Sequence, residues 1–144
     1  MIRHDLTHWP LVVSCARGTT TLADQLDFLA HWTCWLDRGE SFVALRAFTD
    51  DDAHLRPRGG AQEMKAWLWE NGGRLRRLLG GIATVVLPGH YERMSRIDAE
   101  RLFGVPARLF VDIGAALDWI EENGLLTRRI KLDRSRIMRS LEHP

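Results

Sequence analysis

Residues 107–124, ARLFVDIGAALDWIEENG, read as a strand running directly into a helix. Four of the first five residues suit a buried strand, and Asp112 is placed to cap the free amides of a first helical turn. Ala115, Ala116, Trp119 and Ile120 then recur at helical spacing until Gly124 stops the helix. A strand-to-helix unit of this kind decides the fold class, because the rest of the chain repeats it.

Upstream, Leu11–Ala16 (LVVSCA) is a short apolar strand opened by Pro10, with residues 2–8 offering a short partner. Leu22, Leu26, Leu29, Trp32 and Leu36 are spaced as one helix face; Thr20 or Thr21 caps it, Asp24 suits its positive end, and Gly39 ends it. SFVALRAF (41–48) is a second strand, with Val43, Leu45 and Ala47 on one face, followed by the loop TDDDAHLRPRGG. Residues 61–79 keep Met64, Leu68, Gly72, Leu75 and Leu79 in one phase across Asn71-Gly72-Gly73. That predicts a single helix in which Gly72 lets the backbone approach the sheet. Gly80-Gly81 reads as its stop and IATVVLP as a central strand, apolar on both faces. SRIDAERLFG predicts a short helix capped by Ser95, with Asp98 three residues on, before the strand that begins at 107. Alternating strands and helices call for an α/β fold with a largely parallel sheet and right-handed crossovers.

The order of elements, and the residues Ala83, Val85, Phe110, Ala116, Trp119 and Ile120, resemble the STAS superfamily. The likeness is to its bacterial branch of stand-alone anti-sigma-factor-antagonist-like and SEC14-like proteins. The resemblance implies a layered fold: a four- or five-stranded mixed sheet, four helices, and a last helix that covers an edge or face. On that reading residues 1–124 form the domain and 125–144 a basic amphipathic C-terminal tail. Ala115 and Ala116 let the last helix lie close and Trp119 is sealed beneath it; truncating such a tryptophan costs about 3–5 kcal/mol. Phosphorylatable members carry an Asp-Ser-Ser-Gly-like turn, whereas FTDDDAHLRPRGG has no serine and only Thr49 in reach, so a phospho-serine switch is not expected.

Composition sets the remaining bounds. The 144 residues are 45% hydrophobic and 27% charged, an ordinary balance for one globular domain. The formal charge of +1 hides an asymmetry: residues 125–144 carry a net +4 through Arg128, Arg129, Lys131, Arg134, Arg136 and Arg139 against Asp133 and Glu142. The body before them is therefore at −3, which argues against general nucleic-acid affinity. No apolar run is long enough to span a bilayer and no secretory signal is read at the N-terminus, so the expected compartment is the cytoplasm. Cys15 and Cys34 lack CxxC spacing and are expected as free thiols.

Four stretches carry candidate chemistry. Arg56, Arg58, Gly59 and Gly60 precede a helix, where guanidinium groups and free amides suit a small anion, unless the arginines pair with Asp50, Asp51 or Asp52. Three adjacent aspartates lack the alternation of a calcium loop. Asp27, His31 and Cys34 share a helical stripe but lack a fourth ligand, so Asp27 and His31 are expected to bond to each other and no metal is expected. Trp69 with Arg74, Arg76 and Arg77 forms a candidate partner surface, since Trp and Arg dominate interface anchors. The tail, with Ile137, Met138 and Leu141 on one face, can meet a membrane surface, a partner groove or its own domain.

These features favour a non-catalytic regulatory module that binds a protein partner, is expected to be homodimeric, and uses no cofactor. A small anionic ligand or lipid bound through the Arg56/Arg58 loop is the alternative. An enzyme would need His31, Cys34, His54 or Asp50 to gather in one cleft.

Overall fold

Strand and helix alternate along residues 1–126 and 131–142, which the computed structural model describes. In chain order come β1 (Ile2–Asp5), β2 (Leu11–Ala16), α1 (Leu22–Asp37), β3 (Phe42–Phe48) and a 3-10 turn (Asp52–His54). They continue with α2 (Gly60–Leu78), β4 (Leu79–Val85), α3 (Pro88–Ser95), α4 (Ala99–Phe103), β5 (Ala107–Phe110), α5 (Ile113–Glu122) and α6 (Arg134–Glu142). The five strands form one sheet in sequential order, with β1 antiparallel to β2 and every other pairing parallel. The expected mixed α/β sheet is therefore present. Among the described residues no helix is long and apolar enough to cross a membrane.

Sequential parallel strands joined by crossovers of one hand place those helices on one side. Val12, Phe42, Ala44 and Ile82 face α1 and α2, packing with Trp32, Trp35, Leu36 and Leu75. The opposite side, formed by Leu11, Val13, Val43, Leu45, Ala83, Val85 and Phe110, is covered by α5 and α6. Adjacent residues such as Val12 and Val13, or Ala44 and Leu45, are thus buried on both faces, as a covered parallel sheet requires.

The C-terminal segment completes the second layer. Leu132, Ile137 and Leu141 are buried in the same cluster as the sheet, and Arg134 pairs with Asp118 at 2.7 Å and Glu121 at 2.9 Å on α5. Its described part packs on its own domain; Arg128 and Arg129 lie outside the described residues.

Several local expectations are corrected. Trp119 is only partly buried, its ring 5.7 Å from that of Phe110, while Ala116, Leu117 and Ile120 seal α5 to the sheet and Ala115 is exposed. Leu22 and Leu26 are also exposed; the buried stripe of α1 begins at Leu29 and includes Trp35. Its cap is Thr21, whose Oγ1 accepts from the Asp24 amide while the Asp24 carboxylate accepts from the Thr21 amide. Helix α2 does run unbroken through Asn71-Gly72-Gly73, but a Cβ on Gly72 would meet the Arg76 guanidinium, not the sheet. Close approach instead occurs at Gly80 and Gly81. They belong to β4, and a Cβ would come within 2.6 Å of the Leu125 carbonyl oxygen and 2.8 Å of its side chain respectively. Ser95 ends α3, a helix not anticipated, and Asp98 is the residue that caps α4 by accepting from the Arg101 amide.

Candidate functional site

The outer face of α2 presents Trp69, which is 90% exposed. Ala66 and Gly73, each about one turn away, are small and leave the indole open on their side. Lys65, Arg76 and Arg77 are exposed on the same side of the helix. Trp67 turns inward, where its Nε1–H donates to Thr33 Oγ1 at 3.0 Å. Arg74 is committed internally: it pairs with Asp37 and donates to Asn71 Oδ1 at 3.0 Å. The Arg76 stem lies over Gly104, where a Cβ would approach its Cδ to 2.6 Å. Neither Arg76 nor Arg77 has a hydrogen-bond or ion-pair partner among the described residues.

The loop before α2 holds Arg56 and Arg58 exposed, with Gly59 in the left-handed conformation (φ +83°) as the residue preceding the helix. Gly60 is buried and its carbonyl accepts from Gln25 Nε2 at 2.7 Å. Two of the three aspartates considered as partners for the arginines, Asp50 and Asp51, are used elsewhere. Asp50 accepts from the amides of Gly18 at 2.9 Å and Ala53 at 2.9 Å, and these bonds hold its carboxyl below the usual range. Asp51 binds His90. Among the described residues neither Arg56 nor Arg58 forms an ion pair, and no three His, Cys, Asp or Glu side chains gather to hold a metal.

His31 Nδ1 donates to the Asp27 carbonyl at 2.9 Å and lies 3.4 Å from its carboxylate, so these two residues do bond to each other. Cys34 is exposed and free; Cys15 is buried and free. No hydrogen bond, ion pair or ring contact among the described residues joins His31 or Cys34 to His54 or Asp50.

Two groupings escape a reading of the sequence. At the carboxyl ends of β3 and β4 the rings of His54 and His90 stack at 4.0 Å and 11°. Arg93 donates to His90 Nδ1 at 2.9 Å, so the ring proton sits on Nε2 and is donated to Asp51 at 2.7 Å. His54 Nδ1 donates to the Asp50 carbonyl at 2.8 Å, leaving a buried Nε2 without a partner, and burial pushes its pKa down. No serine, threonine or cysteine side chain bonds either ring among the described residues. The stack thus ties two loops together without an aligned nucleophile. The separation of 36 positions between the two histidines hides it from any local pattern.

The second grouping centres on Arg46, which projects from the middle of β3 toward α1 and α2. One charge inside the apolar run FVALRAF is its signal in the sequence. No protein family, curated protein or solved structure matches the chain.

Proposed function

We propose that this chain is a non-catalytic interaction module, a STAS-like adaptor whose α2 outer face engages an acidic partner protein. The carrying observation is the 90% exposure of Trp69 among Lys65, Arg76 and Arg77. A tryptophan flanked by three cations and the single carboxylate of Glu70 suits a partner pocket with an apolar floor and a carboxylate rim. A two-fold dimer through this face would set like charges opposite one another, so the partner is a different protein and any homodimer uses another surface. The five-stranded mixed sheet agrees with the architecture implied by the STAS resemblance. Thr49 Oγ1 donates to the Ala16 carbonyl at 3.0 Å, which supports a module without a phosphorylation switch in that loop. Two free cysteines support a reducing, cytoplasmic setting.

A photo-crosslinking amino acid at position 69, in cells of the source organism, tests this reading. A discrete adduct with an acidic protein is expected, and the double substitution R76E/R77E should abolish it. Self-adducts alone, or an adduct indifferent to charge reversal, would contradict the proposal. The small-anion reading is favoured by the unpaired state of Arg56 and Arg58 among the described residues.

A further inference from the structure

Each inner strand of the sheet carries one polar residue facing α1 and α2: Ser14 on β2, Arg46 on β3 and Thr84 on β4. The pairing register sets them side by side, Ser14 beside Arg46 and Arg46 beside Thr84, with His4 of β1 beside Ser14. A polar row thus crosses four neighbouring strands on an otherwise apolar, aromatic face. Its members bond in pairs: His4 Nδ1 lies 2.7 Å from Ser14 Oγ, and Arg46 Nη2 donates to Thr84 Oγ1 at 3.1 Å.

The row is left short of acceptors. Arg46 Nε is buried with no partner, and so is the indole N–H of Trp32, which lines the same cleft. Among the described residues no carboxylate pairs with Arg46; the charge acting on it is the like charge of Arg56. Burial lowers the Arg46 pKa to about 10, which leaves it a cation at neutral pH. Arg46 lines two small clefts. One is walled by Phe28, Trp32, Met64, Trp67 and Phe103, and the other by Ile2, Ser14, Phe28 and Phe48. A half-buried cation whose buried Nε has no acceptor in the protein is stabilised when an anion pairs with it.

We infer that the Arg46 cleft binds a small monocarboxylate carried on a flat apolar body. The planar fork of a guanidinium matches the two oxygens of a carboxylate, and one half-buried cation balances one negative charge. A phosphate dianion would bring twice the charge between aromatic walls, with Arg56 as the second cation acting on Arg46. Aromatic walls favour an apolar body over further charge, whereas a wholly neutral ligand would leave the guanidinium without a counter-charge. Met64 and Trp67 reach the cleft from the inner side of α2, opposite Trp69, so this site is separate from the proposed partner face.

Titration of the full chain with benzoate, phenylacetate and hexanoate, followed by calorimetry and tryptophan fluorescence, tests the inference. Saturable one-to-one binding of at least one acid is expected, with no comparable binding of benzyl alcohol or inorganic phosphate. R46M should weaken it roughly 10- to 100-fold, and R46K, which keeps the charge but loses the fork, should weaken it less. W69A should bind as wild type does, which separates this result from the fate of the partner surface. No binding of any of the three acids at millimolar concentration, equal binding of phosphate or the alcohol, or undiminished binding by both Arg46 variants would overturn it.

Discussion

His4 lies against three rings, stacked at 5.5 Å on Phe28, tilted at 4.9 Å to His31 and edge-on at 4.8 Å to Trp35. Burial, reinforced by His31 and opposed by Asp27, lowers its pKa from the ordinary 6.5 to about 4. Between those values the unfolded chain binds a proton that the native chain does not. The stability tied to neutral His4 is therefore complete above pH 6.5 and lost as pH falls toward 4. His54, also lowered by burial, acts with the same sign, whereas Asp50, held down chiefly by the Gly18 amide, acts only below its ordinary 3.8. Thermal unfolding at pH 7 and pH 5 should show wild type losing more stability than H4Q. Because the ring is partly solvated, the difference should be on the order of 1 kcal/mol. Equal losses in the two proteins would contradict this assignment. His4 itself could not be singled out from sequence, since its neighbours on α1 are 24 or more residues away.

The elements were legible wherever periodicity was backed by a cap or a break. The Thr21–Asp24 cap, the phase of α2 through two glycines and the Asp112 cap of α5, which accepts from the Ala115 amide at 2.8 Å, all follow from residue spacing. Helix α3 was not legible because it has no buried residue and hence no stripe. Gly80 and Gly81 misled because a pair of glycines means either a helix stop or a close approach, and only the position of Leu125 decides between them. The tail helix tests what an element contributes. Truncation after Leu126 removes Leu132, Ile137 and Leu141 from the cluster against β2, β3 and β4. Urea unfolding should then show a loss of about 3–5 kcal/mol or more, comparable to emptying one or two core positions. An unchanged midpoint would mean that α6 is an appended arm and not part of the core.

At the scale of the molecule, the two faces of one sheet are built differently. The face under α5 and α6 is closed mainly by aliphatic contacts, whereas the face under α1 and α2 combines aromatic rings with a polar row. Strand-by-strand alternation reveals which residues share a face, so the layered α/β class was readable. The register between strands about 30 residues apart was not, and that register is what aligns Ser14, Arg46 and Thr84. Neighbouring positions on β3 therefore have opposite expected roles. Leu45 is fully buried under α5 and α6, and L45A should cost about 2–5 kcal/mol. If Arg46 is retained to bind and not to fold, relief of its unpaired Nε and of the Arg56 repulsion should offset the loss of its Thr84 hydrogen bond. The decisive measurement is the urea unfolding midpoint of R46M without ligand. A value at or above that of wild type is predicted, and a fall comparable to that of L45A would contradict the account.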